Sequence, residues 1–259
     1  MLFPIYWMFT TGLKTQADIL RHPPQFIPKN PTLDSYLLNL NRVGNNPSIL
    51  IYMRNSFIIG FGNMTMCLLF AVPAAYALAR KKIKGKEYII LLLLITQMFP
   101  AILLATPIYI MYIRMGLMDS FMGLVFANMI GSIPFTIIMT RPFFLTIPSD
   151  LEDAALIDGC NKLVTYLVII LPIIKPALIT VGSITFLQGW GELLYAITLA
   201  DSASMRPVTV RIYNYISEYR AEWNNLMAAA FLSATPIIII FIFLQKHIVS
   251  GMTAGAIKS

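Results

Sequence analysis

Asp150, Glu152, Asp153 and Asp158 put four of the chain's 12 carboxylates within nine residues. The chemistry open to them is electrostatic. The surrounding segment, 147–178, reads IPSDLEDAALIDGCNKLVTYLVIILPIIKPAL, and Ser149 followed by Glu152 has the spacing of a capping box. Asp150, Glu152 and Asp153 would then share a first helical turn, where negative charge meets the positive end of the helix dipole. Ala154 and Ala155 add a surface with little bulk that a second protein could approach closely. Gly159 can end the helix by adopting a positive φ. A second helical stretch over 162–171 is expected to close at Pro172 and lead into an apolar run at Pro176. The product would be a short, acid-capped, alanine-faced helix on a rigid elbow. On helix physics alone, an ordinary elbow between two spans fits as well.

Covalent chemistry finds no support. The sequence has no HExxH and no CxxC, and its histidines, His22 and His247, lie far apart. Gly85-Lys86 lacks the rest of a phosphate loop, because Arg80 and Glu87 occupy the positions of the glycine and the hydroxyl residue. Cys67 and Cys160 offer neither a disulfide framework nor a paired metal spacing. Asn63-Met64-Thr65 fits a glycosylation triplet but sits inside a long apolar run.

The elements that must position these residues follow from where charge is missing. Of 259 residues, 58% are hydrophobic and 12% charged, against roughly 25% charged in soluble domains. The stretches 55–79, 88–113, 121–140, 176–200 and 228–249 are 20–26 residues long and hold only Glu192 and Lys246 among them. A bilayer core takes about 20 apolar residues in a helix, so each is long enough to cross and a soluble protein is excluded. The net charge of +7 could suggest nucleic acid, but the empty stretches turn it into a matter of topology and lipid contact. Five of the seven residues at 80–86 are basic, and a short basic loop beside a span stays cytoplasmic. Alternation then makes 141–175 cytoplasmic, 14–54 and 201–227 extracytoplasmic, and the C-terminus cytoplasmic.

Residues 2–13 are apolar but only about 18 Å long as a helix, which reads as the outer part of a first span whose beginning is missing. The loop 14–54 carries five prolines, with one short helix expected around 32–40. Proline, glycine and polar side chains recur at depth, including Gln97, Asn128, Gln188 and Glu192. Kinked, partly polar helices suit a bundle around a pathway. Glu192 would sit about 24 Å along a helix beginning at Pro176. Trp190 and Tyr195 beside it could stack on a sugar or belong to an interfacial aromatic belt. Arg206, Arg211, Tyr213, Tyr215 and Trp223 could meet an external protein or form an amphipathic surface helix. Lys246 and His247 read as an inner-interface anchor.

Asp153-Ala154-Ala155-x-x-x-Gly159, followed by Ile169-x-Leu171-Pro172, resembles the EAA loop of ABC-importer permeases. Pro148-x-x-x-Glu152-Asp153-Ala154-Ala155-x-Ile157-Asp158-Gly159 looks like the version in MalG-like permeases of carbohydrate uptake systems. Pro4-Ile5-Tyr6-Trp7-Met8, Arg54-Asn55-Ser56, Ala74-Ala75-Tyr76-Ala77-Leu78-Ala79-Arg80, Thr96-Gln97-Met98-x-Pro100, Ile133-Pro134-Phe135 and Gly251-x-x-x-Gly255-Ala256-Ile257-Lys258 also fit, so the likeness covers almost the whole chain. Two positions depart: Asp153 stands where the loop glutamate is usual, and Gly191 replaces the usual asparagine of Trp-Asn-Glu/Asp. The resemblance implies an all-α polytopic membrane protein with a type I ABC importer permease fold, five full transmembrane helices and a short first one. It implies a sugar-import permease in a bacterial or archaeal cytoplasmic membrane. The partners would be a second permease, an ATPase dimer that binds the ATP and Mg, an extracytoplasmic sugar-binding protein and membrane lipids. The ATPase-docking residues would be Glu152, Asp153, Ala154, Ala155, Asp158, Gly159, Leu171 and Pro172. Gln97, Asn128, Gln188, Trp190, Glu192 and Tyr195 would be pathway candidates. A stand-alone secondary transporter or channel is the rival reading; it would want ionisable relays inside the spans and leaves the loop's spacing unexplained.

Overall fold

The computed structural model describes residues 2–256 apart from Val43, Asn45 and 217–221, and side chains as far as Phe243. The side chains of Lys246 and His247, and residues 257–259, lie outside the described residues. Among the described residues the regular structure is helical: α1 (Phe3–Gly12), α2 (Gln16–Ile19), α3 (Asp34–Leu40), α4 (Ile49–Arg80), α5 (Lys86–Met98), α6 (Ala101–Met115), α7 (Phe121–Thr146), α8 (Asp150–Ile157), α9 (Lys162–Val164), a π-helical turn (Thr165–Ile170), α10 (Leu171–Ile173), α11 (Lys175–Trp190), α12 (Leu194–Leu199), α13 (Val208–Tyr213) and α14 (Trp223–Ala256). Long apolar runs become helices because a helix pairs its backbone groups internally where lipid offers no partner.

Among the described residues, three helices are long and apolar enough to cross a bilayer unbroken: α4, α7 and α14 over Trp223–Phe243. The expected spans 88–113 and 176–200 are not single helices. The first is broken between α5 and α6, which meet at 94° around Phe99 and Pro100. Pro100 has no N–H to give the Thr96 carbonyl, so α5 cannot propagate through it. In the second, α11 ends at Trp190 and α12 begins only at Leu194. The short helix expected near 32–40 is α3, and α2 was not foreseen; Thr15 caps it by accepting a bond from the Asp18 N–H.

The chain forms two compact units. One comprises Met1–Ile59, Pro107–Leu124 and Trp190–Ile242. It is tied together by buried polar side chains rather than by grease alone. Asn39, fully buried, donates to the carbonyls of Ser35 (2.8 Å) and Asn225 (3.2 Å) and accepts from the Tyr215 hydroxyl (2.8 Å). Asn55, equally buried, donates to the carbonyls of Ser204 and Arg206 at 2.8 and 3.0 Å. Asp119 accepts from the Ser202 N–H and hydroxyl, both at 3.0 Å. Asn55 and Asp119 satisfy loop groups that have no ladder or helix of their own, while Asn39 ties α3 to the first turn of α14.

The other unit comprises Gly60–Thr106, Val125–Gly189 and Phe243–Ser259. Its core is Ala71, Val72, Ala75 and Leu78 of α4, Ile137 and Phe144 of α7, and Tyr166, Ile170 and Ile174 beyond them. Small residues let the helices close up: a Cβ on Gly60 would come 2.9 Å from the Phe186 carbonyl of α11, and one on Gly62 would come 2.8 Å from Val125 of α7. Close approach at small residues is how helices associate in lipid, where hydrophobicity supplies little drive. Gly60→Val is therefore expected to cost about 1–3 kcal/mol by overpacking, read as a lowered melting temperature of the detergent-solubilised protein. An unchanged melting curve would contradict the close α4–α11 contact.

Candidate functional site

The loop 141–175 delivers the expected helix, α8, but starts it differently. Ser149 has helical backbone angles and its hydroxyl makes no cap bond; it points to Asp150 Oδ1 at 3.4 Å instead. No capping box forms, because Glu152 is engaged elsewhere. Its Oε1 lies 2.9 Å from Arg80 Nε, and its Oε2 accepts the Tyr76 hydroxyl at 2.9 Å. Arg80 also donates to the Ile147 carbonyl at the start of the loop. Tyr76 is wedged between Tyr166 and Phe144, with ring centroids 4.8 and 5.4 Å away, and the Lys81 ammonium lies over its ring at 5.8 Å. Glu152 thus clamps α8 to the end of α4. Beside the clamp, Tyr76, Lys81, Glu152, Asp153, Leu156 and Lys162 line a cleft of about 70 Å³.

Gly159 ends α8 at φ +86°. The Gly159 N–H bonds to the Leu156 carbonyl and the Cys160 N–H to the Ala155 carbonyl, the paired bonds of a Schellman stop. The helix then shows two faces. Ala155 is only 3% exposed, so it packs inward and is not part of a small-residue surface. Asp153, Ala154, Asp158 and Gly159 are exposed, as is Ile157 at 86%. This bare isoleucine is the most accessible apolar group of α8; the family-like pattern includes it, but it is not among the expected docking residues.

After Gly159, Asn161 caps α9 by accepting the Val164 N–H at 2.9 Å. Pro172 does not close the second stretch. The chain passes through the π-helical turn into α10 and bends only at Ile174, where Lys162–Ile173 and Lys175–Trp190 meet at 77°. Pro172 falls in the first turn of α10, where a missing N–H is tolerated. Leu171 is half-buried against the core and Pro172 is exposed.

Of the mid-span candidates, Gln97 and Gln188 reach the same turn of α7. Gln97 Nε2 donates to the Gly131 carbonyl at 3.0 Å, and Gln188 Oε1 accepts the Ser132 hydroxyl at 3.1 Å. Asn128 is buried one turn earlier. Sequence reasoning missed the network behind them. Asn63 Nδ2 donates to Ser132 Oγ and to the Thr185 carbonyl, both at 3.0 Å, and the Thr136 and Thr185 hydroxyls lie 3.2 Å apart. The available signal was an asparagine inside an apolar run, read there only as a blocked glycosylation triplet.

The remaining candidates belong to the other unit. Trp190 and Tyr195 are buried, which removes them from a surface aromatic belt. Glu192 stands in the break between α11 and α12 and caps α12, accepting the N–H groups of Tyr195 at 2.7 Å and Ala196 at 3.0 Å. Its carbonyl accepts the Thr209 hydroxyl at 2.7 Å. It is thus a capping acid, not one carried along a continuous helix. In the segment 201–227, Arg211 and Tyr215 are buried with the guanidinium 4.8 Å from the ring. Tyr213 and Trp223 remain exposed.

These features coincide with a known family. Residues 67–254 match the model for the binding-protein-dependent transport system inner membrane component, and the chain belongs to that family of importer permeases. Among curated relatives, the sulfoquinovosyl glycerol transport system permease of Agrobacterium fabrum is 31% identical over 99% of this chain and 89% of its own. The trehalose transport system permease of Mycobacterium tuberculosis is 32% identical over 99% and 92%. The trehalose/maltose transport system permease of Thermococcus litoralis is 30% identical over 99% and 91%. Among solved structures, a bacterial ABC transporter for the import of alginate has the same fold at TM-score 0.78 and 23% identity, covering 95% of this chain and 90% of that one. The inward-facing MetNI methionine transporter follows at TM-score 0.60 and 18% identity, over 78% and 94%.

The clamp makes a local prediction. Arg80 and Glu152 keep 14% and 21% of their side-chain exposure, so screening holds the net worth of the ion pair and hydrogen bond to about 1–2 kcal/mol. Glu152→Ala is expected to speed deuterium exchange of the amides at 150–158 roughly tenfold, and Arg80→Ala to do the same. Unchanged exchange in both variants would show that the loop is held by other contacts.

Proposed function

We propose that this chain is one of two permease subunits of an ATP-driven carbohydrate importer and that α8 is the part its ATPase pushes. The observation that carries this is the helix clamped through Glu152 to the end of a bilayer-spanning helix, with Ala154, Ile157, Asp158 and Gly159 exposed beyond it. The relatives' substrates, from trehalose to sulfoquinovosyl glycerol, support the sugar class. On this reading each bent helix pair is one crossing, giving five full spans besides α1, with the C-terminus and the loop 141–175 cytoplasmic. The basic run at 80–86 meets lipid phosphates on that side.

ATP and Mg bind the separate ATPase subunits, and a sugar-binding protein delivers solute from outside. Closure of the ATPases presses on Asp153, Ala154, Ile157 and Asp158. Because Glu152 fixes α8 to Arg80 and Tyr76, the push reaches α4 as a rigid-body displacement instead of deforming the loop. Leu171 and Pro172 act at the bend before α11, turning the same push into that helix. Gln97, Asn128 and Gln188 serve the pathway within their unit; Trp190, Glu192 and Tyr195 serve it within theirs by packing and capping.

A docking surface and a packing position are now separable. Ile157→Asp and Gly159→Asp are expected to lower the ATPase that co-purifies with the permease at least fivefold and to abolish sugar uptake, with the folded yield kept. Ala155→Leu is expected to lower folded yield, since Ala155 faces the core. Uptake that persists in cells without the partner ATPase would favour a stand-alone transporter.

A further inference from the structure

We propose that Gln97, Gly131 and Gln188 form a solute-binding step on this subunit, at mid-depth in the membrane, that recognises sugar hydroxyls. This rests on the importer reading above and names where on this chain the solute is held. Each residue lies near the middle of its apolar stretch: tenth in 88–113, eleventh in 121–140 and thirteenth in 176–200. They come from three helices and meet at one turn of α7. All three are exposed, and nothing lies within 4 Å of where a Cβ on Gly131 would be.

Hydrocarbon is a poor neighbour for such a patch. Each glutamine spends half of its amide on α7, Gln97 through Nε2 and Gln188 through Oε1. Gln97 Oε1 and Gln188 Nε2 have no bond to another described residue. The break at Phe99 and Pro100 adds the Thr96 carbonyl, which proline cannot pair. Irregular backbone and open amides are tolerated at this depth where they line a water-filled cavity, and interrupted helices at mid-depth are where transported solutes are held.

The geometry also selects the ligand class. An open acceptor on Gln97 and an open donor on Gln188, either side of a turn with no side chain, suit a neutral solute whose neighbouring hydroxyls give one bond and take another. Gln188 is held ready: Ser132, itself fixed by Asn63, orients its carbonyl oxygen. Because Asn63 Nδ2 also binds the Thr185 carbonyl of α11, the helix bearing Gln188 is held in register with α7. No charged side chain belongs to the patch, which disfavours ionic solutes as its preferred ligands.

The test uses the full transporter with its ATPase and binding protein in proteoliposomes, carrying Cys160→Ser so that only buried Cys67 remains. Gln97→Cys and Gln188→Cys are expected to react with the charged thiol reagent MTSET, and the reaction to slow at least fivefold while an imported sugar is present. The sugars are radiolabelled glucose, maltose, trehalose and diacetylchitobiose. Gln97→Leu and Gln188→Leu are each expected to raise the apparent KM for uptake roughly tenfold, the loss of one hydrogen bond, with ATPase co-purification unchanged. Cysteines that stay unlabelled, or that label without sugar protection in a transporter that imports the sugar, overturn this site and leave the importer reading standing. A parent transporter that imports none of the four sugars counts against both.

Discussion

Polar groups at bilayer depth have no water to turn to, and this constraint shapes almost every feature of the chain. Each amide, hydroxyl or carbonyl there must find a partner within the protein or face a wet pathway. Apolar runs obey by becoming helices. The residues that break the runs obey by pairing across helices: Asn63 serves two helices at once through Ser132 and the Thr185 carbonyl. The same rule explains Glu192. A carboxylate in a gap between helices is held there because α12 begins with N–H groups that need an acceptor.

The placement of α8 depends on the same economy of partners. A helix of eight residues has little stability of its own, so α8 holds its position only if something outside it fixes it. Glu152 does this by forgoing the capping bond that its sequence position offers. One carboxylate takes an arginine and a tyrosine from α4, and Arg80 reaches on to the Ile147 carbonyl. The Schellman bonds at Gly159 stop the helix at a defined residue. Load placed on the exposed face therefore meets a fixed end and a fixed length.

Much of this was legible in the residues. Charge-poor stretches gave three spanning helices and two bent pairs, the acidic turn and Gly159 gave α8, and the spacing from Asp153 to Pro172 pointed to the family. What escaped reading depends on which way a helix turns and on who competes for a side chain. Ser149 and Glu152 have capping-box spacing, yet spacing cannot show that Arg80, some seventy residues away, takes the acid. Ala154 and Ala155 look alike in sequence, and only the packing of α8 decides that one is buried. Pro172 looked like a stop because a lone proline usually is; the π-helical turn before it moved the bend to Ile174. The break at Phe99 and Pro100 was visible as a proline in a span, but the 94° angle depends on freed backbone groups finding a suitable neighbour.

The two breaks and the clamp connect in one physical argument. A continuous helix transmits an axial push but offers no backbone to a solute; a broken one offers backbone but bends under load. This chain divides the tasks. α4, to which Glu152 ties α8, is unbroken over 32 residues, and its Gly60 and Gly62 seat α11 and α7 closely against it. The interruptions fall instead on the neighbours, at Phe99 and Pro100, at Ile174 and after Trp190. On the importer reading proposed above, a stiff shaft beside bent helices would turn a small displacement of α8 into a change of angle at the bends. On the same reading, the first bend is also where open polar groups collect, the Thr96 carbonyl and Gln97 Oε1, so the part that bends would be the part that holds a solute.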